Sequence, residues 1–217
     1  MSETVLVIGN KNYSSWSLRG WLMARQSGIA FREILIPLDQ GDYKAAIRAH
    51  SAAGKVPILK HGDVTVWDSL AIGEYLAEIA PEAGLWPTDP ADRAHARAVA
   101  AEMHSGFTAV RGHMPMDMRS QRPGEGDGPG VADDVARIVD IWTACLSAAP
   151  DGGDFLFGAF GIADAMYAPV ISRFRTYGVI LPAVCQSYAD AVWTSPLMVE
   201  WTAAAAAEPW VIENLKI

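Results

Sequence analysis

The sequence predicts two structural parts, an α/β domain over residues 1–80 and an all-α domain over residues 91–217. In the first part, short apolar runs with strand patterning alternate with helical periodicity, whereas the second part has helical periodicity alone. Residues 81–90 separate the two and contain three prolines, which stop regular structure. This stretch is therefore predicted to be a linker.

The elements of the first part are predicted in the order βαβ, then a helix, then ββα. The strands are expected at residues 4–8, 31–37, 56–59 and 64–67, and the helices at 17–26, 43–49 and 69–79. The last two strands are joined by His61-Gly-Asp63, which has the composition of a tight hairpin turn. In the second part, helices are predicted at residues 91–113, 131–148, 162–174, 187–192 and 196–207.

Composition narrows the classes of function. The chain has 217 residues, 51% hydrophobic and 19% charged, as an ordinary globular protein does. Its net charge of -8, with 17 dispersed lysines and arginines, argues against a nucleic-acid partner. No apolar run approaches the roughly 20 residues of a membrane span, and the start lacks a secretory signal, which predicts a cytoplasmic protein. Two cysteines outside any Cys-x-x-Cys pair and five scattered histidines predict no metal site.

A cluster of serines stands where the first strand gives way to the first helix. Ser14, Ser15 and Ser17 lie at this helix start, where unpaired N–H groups and the helix dipole favour an anion. A thiolate is such an anion, and a serine hydroxyl donates a hydrogen bond that favours the ionised sulfur. Serines also cap helices, and the local sequence by itself favours that simpler interpretation.

Two further sites lie at the ends of predicted strands. Pro57 suits a strand start, or a cis Val56–Pro57 bond that turns the Val56 backbone toward an extended peptide. Asp68 and Ser69 again mark a strand-to-helix junction, where they either cap the helix or hold an amine and a carboxylate. Three independent caps explain each site separately. A thiol site, a strand edge and an amino-acid site together would hold a short thiol peptide.

With these motifs the chain resembles the glutathione S-transferase superfamily. The resemblance rests on Ser-Ser-Trp-Ser-Leu-Arg at 14–19, Lys-Val-Pro-Ile-Leu at 55–59, Asp-Ser-Leu-Ala-Ile-Gly-Glu-Tyr-Leu at 68–76 and Gly-Ile-Ala-Asp-Ala at 161–165. The double serine before the arginine is similar to that of the zeta class, which includes maleylacetoacetate isomerases. The resemblance implies a thioredoxin-like amino-terminal domain with a mixed four-stranded sheet, a homodimer, and glutathione as co-substrate without a metal.

The resemblance also implies roles for single residues. Ser14 is expected to stabilise the glutathione thiolate, with Ser15 as the alternate. The remaining glutathione contacts are expected from Val56 to the cysteinyl unit, from Asp68 and Ser69 to the γ-glutamyl end, and from Lys55 or, more weakly, Gln40 to the glycyl carboxylate.

A second substrate, a small hydrophobic or acidic electrophile, is expected in an apolar pocket between the two domains. Its candidate lining residues are Tyr13, Trp16, Met103, His104, Phe107 and Arg111, although Met, His and Phe at helical spacing also suit a plain core. Arg173 and Arg175 suit either an acidic substrate or the solvent-facing end of a helix.

The expected function is that of a glutathione transferase. A glutathione-dependent isomerase of the maleylacetoacetate type is an alternative, although Trp16 stands where zeta enzymes carry a cysteine. A non-catalytic binding module of the same fold is a second alternative. Reduction by a protein cysteine is disfavoured because neither Cys145 nor Cys185 lies near the serines.

Overall fold

The computed structural model describes residues 3–149 and 153–212 of the chain. Its amino-terminal part follows the predicted order: β1 (Thr4–Ile8), α1 (Ser15–Gln26), β2 (Arg32–Leu35), α2 (Tyr43–Arg48), β3 (Ile58–His61), β4 (Val64–Trp67) and α3 (Ser69–Ile79). A 3-10 turn at Pro81–Ala83 follows, and the rest is helical: α4 (Pro90–Ser105), α5 (Thr108–His113), α6 (Val131–Ala148), α7 (Ile162–Tyr177), α8 (Ala183–Thr194) and α9 (Pro196–Ala207). The predicted fold class is thus confirmed.

The four strands form one mixed sheet in the order β2-β1-β3-β4. The β1–β2 pair is parallel, with Val7 opposite Ile34, and the other two pairs are antiparallel. β1 is buried throughout because both faces of the sheet are covered, which explains its continuous apolar run. Leu6 and Ile8 belong to the main core, whereas Val5 and Val7 pack with Ile47 of α2 in a smaller cluster.

Helix α7 lies at the centre of the helical part and packs against α1, α4 and α8. All but one of its residues, Arg175, are buried. Its contact with α1 joins the helical part to the helix that begins with the serines. Among the described residues, none of the helices combines the length and the apolar character that crossing a membrane requires.

The single helix predicted over residues 91–113 is wrong, because the structure contains α4 and α5 in its place. Gly106 is extended and Phe107 adopts a left-handed conformation with φ 54°, which ends the helical hydrogen bonding. The carboxylate of Asp134 on α6 then accepts hydrogen bonds from the N–H groups of Ala109 and Val110, both at 3.0 Å. The cap of α5 thus comes from a distant segment, which local periodicity does not reveal.

The bounds of several other helices and strands differ from the predicted ones by a few residues. Helix α1 begins at Ser15, two residues before the predicted start, and β3 begins at Ile58, two residues after it. Helices α7 and α8 are both longer than predicted, ending at Tyr177 and Thr194.

The start of α7 is capped by a buried carboxylate. Asp164, which is fully buried, accepts hydrogen bonds from the N–H groups of Gly161 at 2.9 Å and Leu156 at 3.1 Å. Gly161 supplies no side chain, so Asp164 provides its half of a capping box alone. Burial raises the pKa of Asp164 to about 6.

This shift makes a pH-dependent contribution to stability. Since the pKa in the folded chain lies above the value of about 3.9 for an unfolded aspartate, protonation of Asp164 favours the folded state. The contribution is fully present below the unfolded pKa and is lost as the pH rises through the folded one. The asparagine of Asp164→Asn does not titrate. We expect the Tm of the parent minus the Tm of Asp164→Asn, both measured by scanning calorimetry, to decrease as the pH rises from about 4 to about 6. A Tm difference that stays constant over this range would contradict the shift of the pKa.

Candidate active site

A cavity of about 730 Å³ lies where the ends of the strands meet the helical part. It brings together the three sites that are far apart in the sequence. The predicted residues that line it are Ser14, Trp16, Lys55, Val56, Asp68, Ser69, His104 and Arg111, and Leu38, Tyr43, Ile47 and Trp67 form further parts of its wall.

Ser14 is both a helix cap and a residue of the cavity wall. It is the N-cap of α1, and its Oγ accepts a hydrogen bond from the N–H of Ser17 at 3.3 Å. Its hydroxyl donates to the Oγ of Ser17 at 2.8 Å, and this Oγ also accepts from the N–H of Gly9 at 2.9 Å. The capping and anion-binding interpretations of Ser14 are therefore compatible, because one rotation of the hydroxyl turns its proton from Ser17 to the cavity.

Ser15 lies in a different environment. Its Oγ accepts a hydrogen bond from Nη2 of Arg173 at 2.8 Å, and its own hydroxyl faces only the sulfur of Met116 at 3.7 Å. It lines a second, smaller cavity of about 130 Å³, which shares Ser14 and Trp16 with the larger one. Ser15 is thus polarised by a guanidinium group, while Ser14 faces the larger space.

Three arginines surround the smaller cavity, and its lining contains no carboxylate among the described residues. Burial, reinforced by the neighbouring arginines, lowers the pKa of Arg19 to about 9 and that of Arg173 to about 10. Both remain charged near neutral pH. The indole of Trp16 lies between the guanidinium groups of Arg19 and Arg111, at 4.5 and 5.1 Å from the ring centre. Arg19, Arg111 and Arg173 are called the floor of the site here. This floor is positively charged and therefore suits an anion.

Asp68 and Ser69 lie on the opposite side of the larger cavity. One carboxylate oxygen of Asp68 accepts from the N–H of Leu70 at 2.9 Å and so caps α3, and the other lies 3.2 Å from Nε2 of His104. The hydroxyl of Ser69 is buried and has no hydrogen-bond partner among residues 3–149 and 153–212. A buried hydroxyl at a helix start without a partner is available to an incoming acceptor.

Val56, two residues before the start of β3, also lines the larger cavity. The Val56–Pro57 bond is cis. In the part of the chain that the structure describes, neither the N–H nor the C=O of Val56 has a hydrogen-bond partner. Both groups lie at the cavity wall, where an extended peptide can pair with them.

Several predicted residues lie elsewhere. Met103 and Phe107 are buried in the main core and do not line the larger cavity. Gln40 is exposed and outside the cavity wall. Tyr13 borders only the smaller cavity, where its hydroxyl accepts from Arg119 at 2.9 Å. Arg175 pairs with Asp190 at the surface rather than reaching the site.

Sequence reasoning missed some residues of the site. Arg19 is one of them, and the only sequence signal for it is an arginine that directly follows Leu18 of the apolar face of α1, where it is buried. The segment around Ser14 is also bound by Glu208, for which the local sequence held no signal. No group of three or more His, Cys, Asp or Glu side chains placed to hold a metal occurs in the described ranges.

Two family models match the chain. The model described as "Glutathione S-transferase, N-terminal domain" matches residues 13–79, and that described as "Glutathione S-transferase, C-terminal domain" matches residues 93–206. A curated Caenorhabditis elegans protein described as "Probable maleylacetoacetate isomerase" is 33% identical over 93 residues, which are 43% of this chain and 42% of that protein. The match therefore spans about two fifths of that relative, and it agrees with the resemblance to the zeta class.

Solved structures share the fold. A glutathione transferase homolog from Burkholderia GL BGR1 with bound glutathione superposes with a TM-score of 0.73 at 22% identity, over 94% of this chain and 98% of that one. A theta class glutathione S-transferase from Xanthomonas axonopodis pv. citri, also with glutathione bound, gives a TM-score of 0.65 at 21% identity, over 93% and 98% of the two chains.

Proposed function

Because the chain belongs to the glutathione S-transferase family, we propose that it binds glutathione in the larger cavity and activates the thiol for attack on a small electrophile. The observation that carries this proposal is that Ser14, Val56 and Ser69 all line this one cavity. They present a donor at a helix start for the thiol, unpaired backbone groups for the cysteinyl unit and an unpaired buried hydroxyl for the γ-glutamyl end.

The γ-glutamyl end is assigned to Asp68 and Ser69. The Ser69 hydroxyl and the free N–H groups at the start of α3 donate to the carboxylate, and Asp68 accepts from the amine. Val56 pairs with the cysteinyl unit through its backbone, and the exposed ammonium of Lys55 reaches the glycyl carboxylate. The exposed Gln40 is a weaker candidate for that carboxylate.

The thiol end is assigned to Ser14, with Ser15 as the alternate. The hydroxyl of Ser14 turns from Ser17 to the sulfur, while the start of α1 and the three arginines supply positive potential. The thiol proton leaves to solvent, and the sulfur lone pair forms the new bond to an electrophilic carbon, from which the leaving group departs with its bonding electrons. A free thiol has a pKa of about 8.5, so lowering it by one to two units raises the thiolate fraction at pH 7 from about 3% to roughly 25–75%.

The electrophile is expected beside Trp16, His104 and Arg111, which line the larger cavity. We also propose that residues 1–80 form the glutathione-binding domain, that 81–90 form the linker and that 91–217 form the helical domain. We also propose that the protein is cytoplasmic and, as the family resemblance implies, a homodimer.

Asp68→Asn gives a first prediction. Asparagine caps a helix as well as aspartate does, so α3 is retained, but the charge that attracts the γ-glutamyl amine is lost. A hydrogen bond to a charged group contributes about 1.5–3 kcal/mol, so we expect the glutathione Kd to rise at least about tenfold. Calorimetric titration measures it. The matched control is Asp63→Asn in the β3–β4 turn, which should leave the Kd unchanged; an unchanged Kd in Asp68→Asn would remove Asp68 from the site.

The test of the proposal as a whole combines binding with turnover. The parent is titrated with glutathione and then assayed with an aryl halide, with maleylacetone and with an organic peroxide. Saturable binding with conjugation supports a transferase. A parent that neither binds glutathione nor converts any electrophile contradicts the proposal.

A second candidate is the glutathione-dependent isomerase of the maleylacetoacetate type. The match to the curated isomerase favours it, and so does the positive floor made by Arg19, Arg111 and Arg173, which suits a carboxylate. In that reaction the thiolate adds to a cis-enone, the carbon–carbon bond rotates and the thiolate leaves unchanged. Isomerisation of maleylacetone without conjugation of the aryl halide selects this candidate, and glutathione binding without any turnover selects a binding module.

A further inference from the structure

We propose that Glu208, which follows α9, is a positioning residue for the catalytic serine. It binds the backbone of residues 9–14, called the serine loop here, and holds Ser14 at the cavity. The inference rests on the proposed function, because it concerns the geometry in which Ser14 meets the thiol. Glu208 lines neither cavity and so is not a catalytic residue itself.

The carboxylate of Glu208 accepts one hydrogen bond at each of its two oxygens, and this pair of hydrogen bonds is called the grip here. Oε1 of Glu208 accepts from the N–H of Lys11 at 2.6 Å, and Oε2 accepts from the N–H of Asn12 at 3.1 Å. Glu208 is only 8% exposed although it is charged. Hydrogen bonds to an ionised acceptor are about twice as strong as neutral ones, and two parallel bonds also fix an orientation.

Arg119 anchors the segment that carries Glu208. Its guanidinium donates to the C=O of Glu208 at 2.7 Å and to that of Trp210 at 2.6 Å. It also donates to the hydroxyl of Tyr13 at 2.9 Å. Arg119 therefore joins the segment after α9 to the serine loop a second time.

Three further hydrogen bonds from other segments hold the serine loop in place. The indole N–H of Trp201 donates to the C=O of Lys11 at 3.0 Å. The side-chain amide of Asn12 donates to Asp117 at 2.7 Å and accepts from the N–H of Arg119 at 3.1 Å. Contacts from two remote segments thus determine where the middle of the loop lies.

These contacts set the position of Ser14 because the loop is a short turn. The C=O of Asn10 accepts from the N–H of Ser14 at 2.9 Å, so Lys11, Asn12 and Tyr13 are the three residues enclosed by the turn, and Glu208 holds the first two. Releasing their N–H groups lets the turn relax, and Ser14 moves with it. A displacement of about 1 Å at a reacting group can lower a rate by about 100-fold.

The grip acts on the thiol end of the site alone. Val56, Asp68 and Ser69 belong to β3, α3 and their flanking residues, which Glu208 does not contact. Loss of the grip should therefore weaken thiolate stabilisation and leave glutathione binding nearly intact. A residue that merely stabilised the fold would change both together.

The experiment compares Glu208→Gln and Glu208→Ala with the parent. We measure the glutathione Kd, kcat and the pH profile of kcat/KM with the electrophile that the parent turns over. Glutamine keeps one acceptor but faces the second N–H with its own amide, so it should raise the apparent thiol pKa by about one unit and lower kcat about three- to eightfold at neutral pH through the smaller thiolate fraction. Alanine should do more, with the Kd within about twofold of the parent.

Glu200→Gln is the matched control. Glu200 lies on α9 and pairs with Arg25 of α1 at 2.7 Å on the exposed surface, so this variant loses the same charge near the same helix without touching the serine loop. Thermal unfolding of all variants reports whether they fold. Glu208 variants that fold but keep the pH profile and kcat of the parent overturn the inference, as does a profile that shifts equally in Glu200→Gln.

The failure of the proposed function gives a different pattern. A parent without glutathione binding or turnover contradicts that function and, with it, the role of Glu208. A parent that binds and reacts, with Glu208 variants that do the same at the same pH, contradicts the positioning role alone.

Discussion

Asp164→Ala is expected to lower the Tm by about 6–12 °C. The substitution leaves the N–H groups of Gly161 and Leu156 without their acceptor, in a place where the side chain is fully buried. An unsatisfied buried donor costs at least about 1 kcal/mol, so two of them and the lost cap together cost at least about 3 kcal/mol. Calorimetric unfolding of the two proteins at one pH measures the difference.

Asp89→Ala is the matched control for this prediction. Asp89 caps α4 and accepts from two N–H groups, those of Ala91 and Asp92, but it is exposed. Water replaces the lost acceptor there, so the free energy of unfolding should decrease by only about 1 kcal/mol. Equal decreases in Tm for the two variants would show that the burial of Asp164 does not increase the stability that its cap provides.

Ser14→Ala is expected to lower kcat about 8- to 25-fold at neutral pH, because the thiol pKa returns toward about 8.5 and the fraction of thiolate at pH 7 falls by that factor. The change also deletes the cap of α1, but a cap contributes only about 1 kcal/mol to stability, so the variant should fold. Steady-state kinetics with the electrophile that the parent turns over measures the effect. The glutathione Kd should change little, since Asp68, Ser69 and Val56 remain.

Two variants separate the hydroxyl from the rest of the residue. Ser14→Thr keeps a hydroxyl on the same carbon and should recover most of the activity. Ser15→Ala removes the hydroxyl that accepts from Arg173 and should cost less than Ser14→Ala, since Ser14 alone of the two lines the larger cavity. The reverse order would assign the thiolate to Ser15.

The amino-terminal part was predictable because its signals are local. Ser14, Val56 and Asp68 all stand at the ends of strands or the starts of helices, which periodicity and capping patterns mark in the sequence. Their meeting in one cavity followed from placing those ends at one edge of a sheet.

Contacts between distant segments were not predictable. Asp134 caps α5 from α6, and Glu208 binds the serine loop from 197 residues away in the chain. Helical spacing grouped Met103 with His104, but it does not say which side of a helix faces a cavity and which faces the core. His104 and Arg111 line the larger cavity, whereas Met103, the neighbour of His104 on α4, lies in the core.

The central claim is that the start of α1 lowers the pKa of the glutathione thiol. The most direct measurement is a titration of the bound complex, in which the ultraviolet absorbance of the thiolate is followed against pH for the parent, Ser14→Ala and Ser14→Thr. The account predicts a pKa one to two units below the value of about 8.5 for a free thiol in the parent, a return toward that value in Ser14→Ala, and recovery in Ser14→Thr. A bound thiol that titrates near 8.5 in the parent, or at the same lowered pH in all three proteins, would contradict it.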